Sequence, residues 1–189
     1  MKRVVVYGGA FNPPTVAHQS ILQECLVYAR ENDAEMVLLP SGERDDKTIG
    51  VPTHDRLALI RALLESVDSR DVSTNIETIE LYDVQNTQTY QTYKKLALKY
   101  PEFEQIWVFG SDSIQTLQNW EYGEWMYANM QMLVIPRPDY ELEALPPRAK
   151  WLRVDAPHVS STLVREHRNE NMDFRHLVPP QVYKVLTQL

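Results

Sequence analysis

The chain has 189 residues, 43% of them hydrophobic and 24% charged, which suits a folded domain with a sizeable core and excludes a disordered or low-complexity chain. A net charge of −7 excludes broad nucleic-acid binding, which needs a basic surface. One cysteine, Cys25, rules out a disulfide framework within the chain.

No apolar run approaches the ~20 residues of a bilayer span. Met1-Lys2-Arg3 leads into a short strand rather than a secretory leader, so a cytoplasmic protein is expected. There is no internal repeat and no linker to divide the chain, so one domain over residues 1–189 is expected.

The first element is a β-branched run, Val4-Val5-Val6, that ends in Tyr7-Gly8-Gly9-Ala10-Phe11-Asn12-Pro13-Pro14-Thr15. An amphipathic helix follows with Ile21, Leu22, Cys25, Leu26 and Ala29 on one face. Strand, tight loop and helix in this order suit an anion, because glycines let a ligand approach the backbone and a helix start presents free N–H groups. Thr15 is the expected N-cap, which places His18 in the first turn, facing the same anion. The simpler reading, a capping Thr15 and a surface His18, stays open from these residues alone. The glycines form neither a Gly-x-Gly-x-x-Gly nor a P-loop pattern.

Met36-Val37-Leu38-Leu39-Pro40 reads as a second buried strand, parallel to the first through the helical crossover. The charged segment 41–52 leaves the carboxyl end of that strand, where ligands bind in open parallel sheets. Arg44 and Lys47 are therefore candidate phosphate contacts, against an equally good reading as a solvated loop. Thr53, Asp55 and Arg56 open a helix with Leu57, Ile60, Leu63 and Leu64 on its core face. A third strand lies within Val72–Leu81, and the polar stretch 85–93 leads from it into a helix with Tyr93, Leu96, Ala97 and Tyr100.

Ile106-Trp107-Val108-Phe109 is the fourth strand, with Gly110-Ser111-Asp112-Ser113 at its end. A carboxylate two residues past the strand suits a ribose hydroxyl. Met132–Ile135 forms a fifth strand, Pro136–Tyr140 a turn, 141–150 a surface excursion and Trp151–Val154 a last strand. Val159-Ser160-Ser161-Thr162-Leu163-Val164-Arg165 then offers hydroxyls at a helix start and an arginine one turn on, a second place for phosphate or simply a capped, charged helix.

Four segments resemble one family. Gly8 to His18 resembles the Gly-Gly-Thr/Ser-Phe-Asp/Asn-Pro-x-His/Thr-x-Gly-His signature of the nucleotidylyltransferase superfamily, and within it that of nicotinate/nicotinamide mononucleotide adenylyltransferases. Thr15 stands where many members carry histidine, and Ala17 where glycine is usual. Thr87 to Thr92 is similar to a Ser/Thr-Tyr-Thr-x-x-Thr segment, with Gln88 in place of its tyrosine. Gly110 to Trp120 is similar to Gly-Ala/Ser-Asp-Ser-x-x-x-Leu-x-x-Trp, and Val159 to Arg165 to Ile-Ser-x-Thr-x-Ile/Val-Arg.

The resemblance implies a Rossmann-like α/β fold, an open parallel sheet with helices on both faces, whose part 159–189 carries the second phosphate motif. It implies transfer of AMP from ATP, with Mg²⁺, to a pyridine mononucleotide. His18, Lys47 and Arg165 would be catalytic. Gly8, Gly9, Ala10, Phe11, Asn12, Thr15, Gly110, Asp112, Ser160, Ser161 and Thr162 would bind ATP with His18 and Arg165. Asn12, Lys47, Thr87, Thr89 and Trp120 would bind the mononucleotide.

Two rivals stand beside this reading: a relative using phosphopantetheine or another phosphate acceptor, and a nucleotide sensor without catalysis. Nicotinate and nicotinamide are not separated, and homo-oligomerisation is left open. No dedicated metal-binding carboxylate cluster is visible, and no nucleic-acid or membrane partner is expected.

Overall fold

The computed structural model describes residues 1–42, 50–82 and 88–189. In the first strand, β1 (Lys2–Gly9), Val5 and Tyr7 enter one hydrophobic cluster while Val4 and Val6 enter another. Alternate residues point to opposite faces, so a strand buried on both sides must be apolar throughout.

Among the described residues five further strands follow: β2 (Ala34–Pro40), β3 (Thr74–Ile76), β4 (Phe103–Gly110), β5 (Gln131–Ile135) and β6 (Ala149–Trp151). All pair in parallel, in the order β3-β2-β1-β4-β5-β6. Strand order reverses between β1 and β4, and the carboxyl ends of these two strands flank the crevice where such sheets bind ligands. The expected open parallel sheet is thus the observed one.

Helices cover both faces. α1 (Val16–Glu31) and α2 (Thr53–Glu65) lie on the Val5 and Tyr7 side; α3 (Ile79–Tyr82) follows β3, and α4 (Thr89–Lys99) lies on the Val4 and Val6 side. α5 (Ser111–Thr116) and α6 (Gly123–Asn129) complete the second face, while α7 (Ser161–Asn169) and α8 (Pro180–Leu186) return to the first. The stripe Ile21, Leu22, Cys25, Leu26 and Ala29 on α1 is buried at the 3-4 spacing that marks it in the chain. Cys25 behaves there as a small hydrophobe, and burial pushes its thiol pKa well up. Among the described residues no helix is long and apolar enough to cross a membrane.

β3, Thr74–Ile76, lies within the expected Val72–Leu81 window, which also holds the start of the helical turn Ile79–Tyr82. Two elements depart from expectation. Helix α4 starts at Thr89, not near Tyr93, and Gln88 occupies its cap without a side-chain bond. The last strand is Ala149–Trp151 rather than Trp151–Val154, because the register sets Ala149 against Met132 and Trp151 against Val134. Leu152 adds one more bond to Val134 and then turns inward to the core.

Candidate active site

The turn after β1 folds back on itself. Phe11 has a left-handed backbone (φ 47°) and is fully buried, its ring edge-on to Tyr7 at 5.4 Å. A Cβ on Gly9 would press on that ring at 3.2 Å. Gly9 therefore makes room for the chain's own Phe11. Positive φ is costly for a bulky residue, and here burial and packing hold it.

Thr15 caps α1 as expected, and the cap is reciprocal. Its hydroxyl lies 2.8 Å from His18 Nδ1, and its backbone N–H donates to that same nitrogen at 3.1 Å. The His18 backbone N–H in turn donates to the Thr15 hydroxyl at 3.4 Å. An amide N–H can only donate, so Nδ1 is an acceptor and the ring proton sits on Nε2. Burial, with a smaller contribution from the Arg137 charge, lowers the His18 pKa from 6.5 to about 4. His18 is thus a neutral imidazole whose Nε2–H is its hydrogen-bond donor. Thr15 has no exposed surface, and its hydroxyl and backbone N–H are turned to His18.

The second hydroxyl-rich motif docks on this turn. Ser160 caps α7, accepting from the Leu163 N–H at 3.1 Å. Ser161 donates to the Pro13 carbonyl at 2.8 Å. Arg165 donates to the Asn12 carbonyl at 2.7 Å and to the Thr162 hydroxyl at 3.0 Å. Residues some 150 positions apart in the chain thus meet at the mouth of α1.

Across the crevice, Asp112 folds over Gly110, where any Cβ would collide with the carboxylate. Arg137 stands 3.8 Å from Asp112, its backbone N–H held by the buried Ser111 hydroxyl at 2.8 Å. In the sequence Pro136–Tyr140 reads as a turn without chemistry. Only the fold brings the cation at the end of β5 beside His18 and Asp112.

Trp120, half-buried, donates from its ring N–H to Thr116 at 3.2 Å and meets Phe109 edge-on at 6.3 Å. Thr89 lies in the first turn of α4. Arg44, Lys47 and Thr87 lie outside the described residues. Gly8, Gly9, Ala10, Asn12, His18, Asp112, Ser161 and Arg165 gather at the carboxyl ends of β1 and β4. Trp120 and Thr89 lie on the α4, α5 and α6 side of the sheet.

A cytidylyltransferase-like family model matches residues 6–167. The chain is 28% identical over 191 residues to a protein of Halalkalibacterium halodurans named "Probable nicotinate-nucleotide adenylyltransferase", covering 98% of this chain and 89% of that one. A protein of the same name from Carboxydothermus hydrogenoformans is 24% identical over 193 residues, with 96% and 93% covered. The structure of Plasmodium falciparum nicotinic acid mononucleotide adenylyltransferase complexed with NaAD superposes with a TM-score of 0.83 at 19% identity, covering 100% of this chain and 96% of that one. At that identity the likeness speaks for the fold.

Proposed function

Because the chain belongs to the cytidylyltransferase-like family, we propose that it transfers AMP from ATP to nicotinate mononucleotide, releasing pyrophosphate and forming the dinucleotide. The observation that carries this reading is the junction at α1. A neutral donor histidine, a helix start and the Ser161 and Arg165 side chains of α7 converge on one turn at the switch point of the sheet. The names of the relatives support nicotinate as the acceptor's ring.

In the reaction, a phosphate oxygen of the mononucleotide attacks the α-phosphorus of ATP. The bond to the bridging oxygen breaks, and the electron pair leaves with pyrophosphate. The nucleophile is already ionised near neutral pH, so the protein needs no strong base and contributes alignment and charge stabilisation. His18 Nε2–H, the first turn of α1, Arg165 and the hydroxyls of Ser160, Ser161 and Thr162 face the triphosphate. Gly8 to Asn12 shape the turn around it, and Gly110 and Asp112 hold the adenylate sugar. Lys47, Thr87, Thr89, Asn12 and Trp120 serve the mononucleotide.

Among the described residues, no group of three or more His, Cys, Asp or Glu side chains gathers in a metal-binding arrangement. Mg²⁺ would enter with ATP rather than on a protein carboxylate cluster, and would screen the charge of the phosphates that His18, Arg165 and the α7 hydroxyls face. Residues 1–189 act in this reaction as one catalytic domain, in the cytoplasm, on small molecules.

The test is pyrophosphate release from ATP and Mg²⁺ with nicotinate mononucleotide, nicotinamide mononucleotide or phosphopantetheine as acceptor. Release fastest with nicotinate mononucleotide is expected. Silence with both pyridine nucleotides overturns the proposal, and ATP binding under those conditions would then point to a sensor.

A further inference from the structure

Two buried charges outside the junction grip a single peptide. Arg56 on α2 is 2% exposed, and one of its terminal nitrogens donates both to the Ser41 carbonyl at 2.6 Å and to the Ala10 carbonyl at 2.9 Å. Glu80 on α3 is 7% exposed and accepts from the Gly42 N–H at 3.3 Å and from the Thr92 hydroxyl of α4 at 2.7 Å. The Ser41 carbonyl and the Gly42 N–H are the two poles of one peptide unit. Being trans and planar, that unit points its oxygen at the cation and its N–H at the anion. The Ser41 N–H is held as well, by the Gly9 carbonyl at 2.9 Å.

Removing two charges from water is costly, and each needs full hydrogen bonding to persist. Here the cation donates to backbone carbonyls of two different turns, one after β1 and one after β2. By pinning the Ala10 carbonyl inward, Arg56 turns the N–H of the same peptide, that of Phe11, the opposite way and helps hold the left-handed Phe11.

We infer that Arg56 and Glu80 are positioning residues that lock the exit of β2 to the turn after β1, fixing the two nucleotides relative to each other. The inference rests on the proposed transfer reaction, in which the first turn serves ATP and the segment leaving β2 serves the acceptor. Neither residue need touch a substrate. In-line attack tolerates little misplacement, and an error near 1 Å can cost on the order of 10²-fold in rate.

The experiment measures kcat, both KM values and the separate affinities for a non-hydrolysable ATP analogue and for the mononucleotide in wild type, R56M, R56K and E80Q. R56M and E80Q are expected to lower kcat at least ~10-fold, with each affinity within about 3-fold of wild type. R56K, which keeps a charge and donors on a shorter stem, is expected to recover part of the loss. The double variant R56M/E80Q should cost about as much as the worse single one, because both grip the same peptide.

Should R56M not fold, E80Q carries the test by the same split between kcat and affinity. Folded variants with kcat within about 2-fold of wild type, or with the whole effect in KM, overturn the inference while leaving the reaction intact. A wild-type enzyme silent with every acceptor overturns the reaction reading, and the inference with it.

Discussion

His18 shows how much one residue's neighbours decide. Its Nδ1 is occupied by the Thr15 N–H, so protonating the ring would set two donors against each other. Between about pH 5 and 8, where a free imidazole titrates, the transfer rate should show no limb from this residue. A limb centred near 6.5 that disappears in H18Q would contradict the neutral-donor reading. Stability carries the same sign. The unfolded chain binds a proton near 6.5 and the native one near 4, so stability is complete above 6.5 and falls as pH drops toward 4. Thermal melts of wild type should lose more over that window than those of H18Q, whose glutamine can still accept from the capping N–H. At neutral pH, H18A should lower kcat by ~10²-fold or more, the scale of a lost transition-state donor.

Thr15 and His18 are legible in the chain because a cap and its partner three positions on form a local pattern. Arg137, Arg56 and Glu80 are not. Charged residues in a turn or on a helix read as solvent-facing; tertiary burial turns Arg56 and Glu80 inward, and only the fold sets the exposed Arg137 beside Asp112. The role of Gly9 was half legible: the turn was evident, but what fills the space beside it is Phe11.

Among elements, α7 links capping to binding. S160A removes the side-chain cap at Leu163 and should cost about 1 kcal/mol of stability, read from urea unfolding, and should lower kcat/KM less than R165A because the Ser161 and Thr162 hydroxyls remain at the triphosphate. R165A should do the reverse. The side chain is exposed and adds little to stability, yet kcat/KM for ATP should fall at least ~10-fold. Equal losses of stability in the two variants would contradict this division.

Strands β1, β2, β4 and β5 are readable because each is a short apolar run stopped by glycine, proline or polar residues. The window Val72–Leu81 holds β3 as expected, while the four residues of α3 that begin inside it are too few to display a helical period. The last strand slipped because Leu152 and Val154 are apolar for the sake of the core, not of the sheet. The start of α4 was missed because Gln88 gives no capping signal.

On the scale of the whole molecule, the closing helix α8 seals the first face of the sheet. Leu186 and Val182 are buried there in the cluster that also holds Leu59, Ile60 and Leu63 of α2. L186A should cost about 2–5 kcal/mol, enough to lower Tm by several degrees in a chain of this size. Because α2 carries Arg56 and α7 precedes α8, kcat should fall together with stability in that variant as temperature rises. Urea and thermal melts run beside the assay would check it.

The central strand also sets an order on synthesis. β1 can pair with β2 soon after both leave the ribosome, but its other edge waits for β4, which meets Lys2 only at Phe103. Until then an apolar strand stands with one side unpaired and one face uncovered, the condition under which nascent chains associate with one another. A slow ribosome between β2 and β4 would lengthen that exposure. Chaperone dependence should therefore concentrate in the first half of translation.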